Sequence, residues 1–268
     1  MPLNRERTEH LSAERSDNLS AERSGNADYA WDKFDSEAYF QHYYGEPHPD
    51  DDRVIRCAVA AMQCIPSAGR GLDIIDIGTG PNLIPFFCAL PLARSLTAWE
   101  YAPSNVAWLT EELAGEILRP QWQHFWDVTR TAYGQDLALP HNPISRLKDM
   151  STITQGSIFD LPAKRWDVAT MFFCAESITE KLDEFTSAVA AFARCVKPGG
   201  ALIAAFLVRS AGYEVGGRRF PVLHLNAETI EATFRHFATE VKAEHIGIVE
   251  KEIRSGYSGF VFLTGKAI

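Results

Sequence analysis

Apolar residues follow two alternating periods along the chain. Short apolar runs, typical of strands buried in a parallel sheet, alternate with segments whose apolar positions recur every three or four residues, as they do in helices. The runs occupy residues 72–77, 95–100, 152–157, 166–174 and 201–208. The helical segments span about 50–64, 104–118, 177–195 and 228–237, and a further helix begins near Asn82. This alternation predicts an α/β fold with a mostly parallel sheet and helices on both faces.

Four other segments complete the predicted topology. Two more strands are expected near 241–250 and 256–265 with no helix between them, which gives seven strands and an antiparallel edge. KPGG at 197–200 predicts a turn, and residues 214–225 (EVGGRRFPVLHL) predict a Gly-centred hairpin or loop. Residues 119–150 fit neither period well, so an irregular or helical insertion is expected there.

The N-terminal residues differ in composition from the rest of the chain. Residues 11–18 (LSAERSDN) and 19–26 (LSAERSGN) form a near-perfect tandem repeat of mostly polar residues. Such a sequence buries too little apolar surface to offset the entropy lost on ordering, so residues 1–28 are predicted to be a disordered tail. The remaining residues, 29–268, have the length of a single α/β domain.

Charge and cysteine content narrow the classes of function. The net charge is −9 and no basic run could neutralise phosphates, so no nucleic-acid partner is expected. The five cysteines form no CxxC pair and lie mostly among apolar residues, which predicts free thiols in a cytoplasmic protein. No stretch approaches the roughly 20 apolar residues of a membrane span. No His/Cys cluster has metal-ligand spacing, so neither a membrane nor a metal is expected.

A glycine-rich turn, DIGTGP (76–81), follows the first predicted strand. Gly78 and Gly80 allow the backbone to turn sharply and to approach a ligand closely. A dinucleotide fingerprint would need Gly or Ala where Leu83 stands, and the GK[ST] ending of a phosphate-binding loop is absent. The turn therefore favours a site for S-adenosylmethionine (SAM), in which it would lie under the amino-acid portion and the ribose.

Two further strands end in polar residues that suit the same ligand. Glu100 ends the second strand, where a carboxylate can accept hydrogen bonds from both ribose hydroxyls, and Asn105 follows at the start of a helix. The third strand ends near Ser157 and Ile158, which are the best candidates for adenine contacts. Asp160 is a rival acceptor for the exocyclic amine of adenine.

An aromatic segment, WDKFDSEAYFQHYY (31–44), precedes the first predicted helix. Tyr39 and Tyr43 are four residues apart and share one helical face. Tyrosine hydroxyls need partners that a plain apolar core does not supply, so residues 29–48 are predicted to form a lid over the cofactor. The end of the fourth predicted strand, from Phe172 to Glu176, should face the cofactor's methyl group.

These features together resemble the nicotinamide, phenylethanolamine and thioether/indolethylamine N-methyltransferases, a family with the Rossmann-like class I SAM-dependent methyltransferase fold. The resemblance covers about residues 31–268. It rests on AYFQHYY (38–44), DIGTGP (76–81), WEYAPSN (99–105), VKPGG (196–200), RSAGYEVGGRRF (209–220) and GYSGFVFLTGK (256–266).

The resemblance also implies roles for individual residues. Tyr39 and Tyr44 would close over the cofactor. The cofactor pocket would further include Asp76, Gly78, Thr79, Gly80, Asn82, Glu100, Tyr101, Asn105, Ser157, Ile158 and Phe172. By the same resemblance, Tyr43 and Tyr213 would face the acceptor. Their positions in the sequence make Cys174, Glu176, Phe206 and Tyr257 further acceptor candidates, and Tyr43, Glu176 and Tyr213 are the candidates for a catalytic role.

Three positions depart from the family pattern. Phe206 stands where nicotinamide-methylating relatives carry an Asp, and Val222 lies near the position of a serine that helps to hold the amide. Both departures weigh against nicotinamide as the acceptor. Ser157 replaces an acidic adenine contact, so that contact is weaker here or is moved to Asp160.

The sequence thus predicts methyl transfer from SAM to a small-molecule acceptor, and a nitrogen of an aromatic or heterocyclic compound is the leading hypothesis. Methylation of an oxygen or carbon acceptor stays open. So does methylation of a peptide or protein that docks on residues 119–150. A non-catalytic SAM-binding regulator and an NAD-dependent oxidoreductase are further alternatives. A monomer is favoured.

Overall fold

One mixed sheet and one short hairpin contain all the strands in the described part of the chain. The computed structural model describes residues 23–66, 71–134, 137–248 and 254–268. Its strands are β1 (Leu72–Ile77), β2 (Ala93–Glu100), β3 (Ser151–Gln155), β4 (Trp166–Phe172), β5 (Val196–Leu207), β6 (Tyr213–Val215), β7 (Arg218–Phe220), β8 (Ala238–Ile246) and β9 (Phe260–Ala267). Of these, β6 and β7 pair as the hairpin expected around the glycines at 216–217.

The other seven strands lie in the order β3-β2-β1-β4-β5-β9-β8. The first five pair in parallel, whereas β9 runs antiparallel to both β5 and β8. The prediction of a mostly parallel seven-stranded sheet with antiparallel pairing at one edge is therefore confirmed. The strand order reverses between β1 and β4, which is where ligands bind in open sheets of this kind.

Helices cover both faces of the sheet. They are α1 (Ser36–Tyr44), α2 (Pro49–Gln63), α3 (Ile84–Ala89), α4 (Pro103–Ala114), α5 (Pro120–Tyr133), α6 (Ile144–Met150), α7 (Leu182–Cys195) and α8 (Ala227–Phe237). Successive strand residues such as Ile74 and Ile75 point to opposite faces and join different cores. The first core is shared with α1 to α6, and the second with α7 and α8. None of the helices in the described ranges is long and apolar enough to cross a membrane.

The segment 119–150, predicted to be irregular or helical, consists mainly of α5 and α6. Trp122, Phe125 and Trp126 of α5 are completely buried. They pack against aromatic residues of α1 and α3, including Phe40 and Phe87. These aromatic residues therefore belong to the core of the domain and leave no exposed aromatic surface on α5.

At three places the kind of structure differs from the prediction. The helix predicted over 177–195 is preceded by a 3-10 turn at Ala175–Ser177, so α7 begins only at Leu182. The KPGG segment lies inside β5 as a bulge, because Val196 pairs with Trp166 whereas the next pairing joins Ala201 to Val168. The third difference concerns the N-terminal tail. Most of the tandem repeat lies outside the described residues, but Asn26–Asp28, which were predicted to be disordered, form a 3-10 turn.

Candidate active site

A pocket of about 850 Å³, counted to its open mouth, lies at the carboxyl ends of β1, β2 and β4. The predicted cofactor residues that line it are Tyr39, Tyr44, Gly78, Thr79, Gly80, Asn82, Glu100, Tyr101, Asn105, Ser157, Ile158 and Phe172. Of the predicted acceptor residues, Cys174 and Tyr213 line it as well. The structure thus brings together most of the residues selected from the sequence.

The glycines of the turn after β1 are there for conformational and steric reasons. Gly78 has φ +64°, a conformation that other residues adopt only under strain. A Cβ at this position would lie 2.1 Å from the Sγ of Cys174. Gly156 has a similar role after β3, because a Cβ there would lie 2.5 Å from the indole of Trp99. Without a Cβ, both glycines can pack closely against these side chains, and their backbone forms the floor of the pocket.

Glu100 is 5% exposed and is held in place by the backbone around it. Its Oε2 accepts a hydrogen bond from the N–H of Gly80 (2.8 Å), and its Oε1 accepts one from the N–H of Ala102 (2.8 Å) and a longer one from Nδ2 of Asn105 (3.3 Å). Burial raises the pKa of Glu100, while the hydrogen bonds from Ala102 and Gly80 act in the opposite direction. A carboxylate offers about four lone-pair directions, so Oε2 can still accept from a ligand hydroxyl.

The end of β3 forms the side of the pocket expected to hold adenine. Ser157 and Ile158 line it, and the carbonyl oxygen of Ser157 accepts a hydrogen bond from Nε1 of Trp99 (3.0 Å). The Ser157 hydroxyl caps the following 3-10 turn by accepting from the N–H of Phe159 (3.2 Å). Asp160 is exposed and lies outside the pocket lining, so this geometry favours Ser157 and Ile158 over Asp160 as adenine neighbours.

The aromatic segment predicted to be a lid contributes residues to the pocket lining, and a residue just before it does so too. Trp31, Phe34 and Asn26 line the pocket beside the tyrosines of α1. Nδ2 of Asn26 donates to the carbonyl oxygen of Ile178 (3.0 Å), and its backbone N–H donates to Glu184 (2.8 Å). Asn26 was not among the residues predicted from the sequence, because polar tail residues carry no periodic pattern that would indicate a contact with a distant helix.

Arg254 is a second lining residue that sequence analysis missed. It is 7% exposed, and its guanidinium carbon lies 4.2 Å from the ring centroid of Tyr213 and 5.3 Å from that of Tyr43. Its Nη1 donates to the hydroxyl of Ser177 (3.0 Å), and its Nη2 donates more weakly to that of Tyr39 (3.4 Å). A single arginine between the last two strands is indistinguishable from a surface charge in the sequence.

Phe206 and Tyr257 do not reach the pocket, which corrects their assignment to the acceptor. Phe206 faces the core on the other side of the sheet and packs against Phe185, with ring centroids 5.8 Å apart. Tyr257 is 1% exposed and donates a hydrogen bond to Oδ2 of Asp50 (3.0 Å). The side-chain alternation of β5 accounts for Phe206, because neighbouring positions of a strand face opposite sides.

Three more predicted residues lie behind the pocket wall, which corrects their placement as direct contacts. Asp76 accepts a hydrogen bond from the Thr170 hydroxyl (2.6 Å), and burial raises its pKa to about 7. Glu176 is fully buried, accepts from the N–H of Leu207 (2.9 Å), and has its pKa raised to about 7 by burial. Tyr43 packs behind Tyr39, with ring centroids 4.5 Å apart. Among the three catalytic candidates, only Tyr213 lines the pocket.

This sheet order, with a glycine turn and an acidic residue at the ends of β1 and β2, defines a Rossmann-like SAM-dependent methyltransferase. A solved structure with the same fold is the 1,6-didemethyltoxoflavin N1-methyltransferase of Burkholderia thailandensis with bound S-adenosylhomocysteine. Its TM-score to this chain is 0.51 at 13% sequence identity, over 87% of this chain and 86% of that one.

The chain belongs to the NNMT/PNMT/TEMT family, whose sequence profile matches residues 23–266. Indolethylamine N-methyltransferase of Mus musculus is 23% identical over 76% of this chain and 80% of its own length. Nicotinamide N-methyltransferase of Sus scrofa is 22% identical over 83% of this chain and 87% of its own length. The resemblance inferred from the sequence motifs is thereby confirmed, and the protein is a SAM-dependent methyltransferase of a small-molecule N-methyltransferase family.

Proposed function

We propose that this enzyme transfers the methyl group of SAM to a nitrogen of a small aromatic or heterocyclic acceptor. The observation that carries the proposal is the continuity of one pocket. The glycine floor and Glu100 lie on one side of it, and the aromatic side chains of Tyr39 and Tyr213, with ring centroids 6.3 Å apart, lie on another. A planar acceptor can therefore pack against these aromatic walls beside the cofactor.

The residues present fit SAM as the methyl donor. Gly78 and Gly156 let the turns after β1 and β3 pack against Cys174 and Trp99 beneath the pocket, and Glu100 presents a fixed carboxylate to ribose hydroxyls. SAM supplies a methyl group that is already activated by its sulfonium. The protein's contribution is then to align the acceptor, exclude water and keep the nitrogen unprotonated.

The wall chemistry favours an acceptor that arrives with a free lone pair. Burial raises the pKa of Tyr39 to about 12 and that of Tyr213 well above its usual value, so neither phenol serves as a base near neutral pH. The acceptor nitrogen forms its bond to the methyl carbon as the carbon–sulfur bond breaks, and that electron pair returns to sulfur in S-adenosylhomocysteine. An amine acceptor then loses one proton to water, whereas a pyridine-type nitrogen needs no proton transfer.

The structure gives less support to a peptide or protein acceptor docking on residues 119–150. In that segment the large aromatic residues are buried between α2, α3 and the sheet. A docking surface would need exposed anchors, since buried aromatic residues are unavailable to a partner. The small, aromatic-walled pocket suits a small molecule better.

A turnover screen tests the proposal. The full chain would be incubated with SAM and a panel of aromatic amines and nitrogen heterocycles, each paired with its oxygen or carbon analogue. S-adenosylhomocysteine and the methylated product would be measured by mass spectrometry. We expect methyl transfer to nitrogen compounds and at least about tenfold less to their partners. Methylation of only the oxygen or carbon analogues would overturn the choice of nitrogen. Tight binding of S-adenosylhomocysteine without turnover of any acceptor would favour a regulatory role.

A further inference from the structure

We propose that the acceptor carries an anionic group, a carboxylate on an aromatic or heteroaromatic ring, and that Arg254 binds it. The inference rests on the proposed function, because it places a small aromatic acceptor in the pocket beside the tyrosines. The observation behind it is that the guanidinium of Arg254, which is more than nine-tenths buried, lies against the aromatic walls of that pocket.

The hydrogen bonds of Arg254 leave room for a ligand. Arginine has five N–H donors arranged as a planar fork that matches a carboxylate in bidentate fashion. In the described structure, two of its nitrogens donate, and both acceptors are neutral hydroxyls, those of Ser177 and Tyr39. The guanidinium lines the pocket, so its remaining donors can meet a ligand there.

The charge of Arg254 lacks a full counterion among the described residues. No described carboxylate lies within ion-pair distance of Arg254. The carboxyl group of Glu176 interacts with it electrostatically, but that group already accepts a hydrogen bond from the backbone N–H of Leu207. The pKa of Glu176 is about 7 because of burial, so near neutral pH its carboxyl is only partly ionised. The phenols of Tyr39 and Tyr213 remain protonated, because burial raises the pKa of each. A buried cation of this kind is stabilised by an anion that completes its surroundings.

The same geometry disfavours a cationic acceptor. The guanidinium already occupies the face of Tyr213 at 4.2 Å, a position where an ammonium or pyridinium would gain its own cation–π attraction. Two cations in one buried site repel each other strongly. A carboxylate on the ring would offset the charge of Arg254, and methylation of a pyridine-type nitrogen only moves the positive charge of the sulfonium onto the ring.

Matched ligand pairs test this inference by binding alone. Calorimetry on the full chain saturated with S-adenosylhomocysteine would compare pyridine-3-carboxylate with pyridine-3-carboxamide, and 2-aminobenzoate with 2-aminobenzamide. We expect the carboxylate of at least one pair to bind at least about tenfold more tightly, as charged hydrogen bonds allow. Arg254→Met should abolish the preference, and Arg254→Lys should keep part of it. Equal or weaker binding of both carboxylates, including no binding, would overturn the proposal.

Two controls separate this proposal from others. If Arg254→Met weakens S-adenosylhomocysteine but leaves 5′-methylthioadenosine unaffected, the guanidinium holds the cofactor's own carboxylate, and the proposal fails. Glu250 and Glu252 precede Arg254 outside the described residues. A carboxylate preference that arises only in the Glu250→Gln/Glu252→Gln variant would show that the charge is already paired, which also overturns it. If the unaltered chain binds no S-adenosylhomocysteine, the proposed function itself fails.

Discussion

The cofactor side and the acceptor side of the pocket are built in different ways. The cofactor side consists of strand ends and the turns that follow them, so each contact lies within a few residues of β1, β2 or β3. The acceptor side brings together α1, the hairpin β6–β7 and Arg254, which are separated by more than 200 residues at the extremes. Backbone geometry dominates the first side, and long side chains dominate the second.

This difference explains why the cofactor side depends on the fold, whereas the acceptor side depends on individual side chains. A site made from strand–turn–helix geometry depends on the fold, so it persists as long as the sheet forms. A site made from side chains on separate elements can change by single substitutions without disturbing the sheet. We therefore expect substitutions on the cofactor side to abolish binding of any acceptor, and those on the acceptor side to alter its choice.

The largest expected effect comes from Gly78→Ala on the cofactor side. A Cβ there meets the Sγ of Cys174 at 2.1 Å and forces a non-glycine residue to φ +64°. We expect S-adenosylhomocysteine binding to become undetectable by calorimetry. Adding Cys174→Ala should restore part of it, because the nearest contact is then removed.

Gly217→Ala separates strain from the steric clash. Gly217 has φ +73°, but a Cβ there would meet no atom within 4 Å. It should cost about 1 kcal/mol of stability, as a strained backbone position does, and leave cofactor affinity unchanged. Equal losses of affinity in the Gly78 and Gly217 variants would show that the clash is not the cause.

Glu100→Ala should have the next largest effect. The substitution removes the acceptor for ribose hydroxyls and also releases the N–H groups of Gly80 and Ala102, which Glu100 holds at 2.8 Å. Charged hydrogen bonds contribute about 1.5–3 kcal/mol each, so we expect a loss of roughly 300-fold in affinity for S-adenosylhomocysteine. Glu180→Ala, which removes the hydrogen-bond acceptor of the Tyr29 hydroxyl and lies outside the pocket lining, is the matched control. A smaller loss for Glu100 than for Glu180 would contradict the assignment.

The two sides were also unequally predictable from the sequence. Gly78, Glu100, Asn105 and Ser157 were placed correctly in the pocket because strand ends and glycine turns leave a local pattern. On the acceptor side, the sequence did not indicate Arg254, since which distant elements meet is decided by tertiary packing.

The errors have the same physical origin. Side chains alternate between the two faces of a strand, so a shift of one residue reverses the face. Phe206 occupies a position of β5 that faces the second core and not the pocket. The ordered turn at Asn26–Asp28 depends on hydrogen bonds to Ile178 and Glu184, about 150 residues away. Composition alone predicted disorder there, because it contains no information about such partners.

Asp76→Asn tests how the floor of the cofactor side is supported. Burial raises the pKa of Asp76 from 3.8 to about 7. The folded state therefore binds this proton more tightly than the unfolded state, and wild-type stability falls as pH rises through that window. The asparagine variant lacks this penalty. Its unfolding free energy relative to wild type should rise by roughly 2–3 kcal/mol between about pH 5 and pH 7. Urea unfolding at both pH values measures it, and a pH-independent difference would contradict a protonated Asp76.

The smallest effects should distinguish Ser157 from Asp160 at the adenine end. Ser157→Ala removes the cap of the 3-10 turn that follows β3, where its hydroxyl accepts from the N–H of Phe159. Loss of a cap costs about 0.5–2 kcal/mol, so cofactor affinity should fall by about fivefold as this wall loosens. Asp160→Asn changes an exposed side chain outside the pocket and should alter affinity by less than about twofold. Both substitutions lie in one short turn. A larger effect for Asp160 would therefore mean that its carboxylate binds adenine. The acidic contact of the relatives would then have moved by three residues.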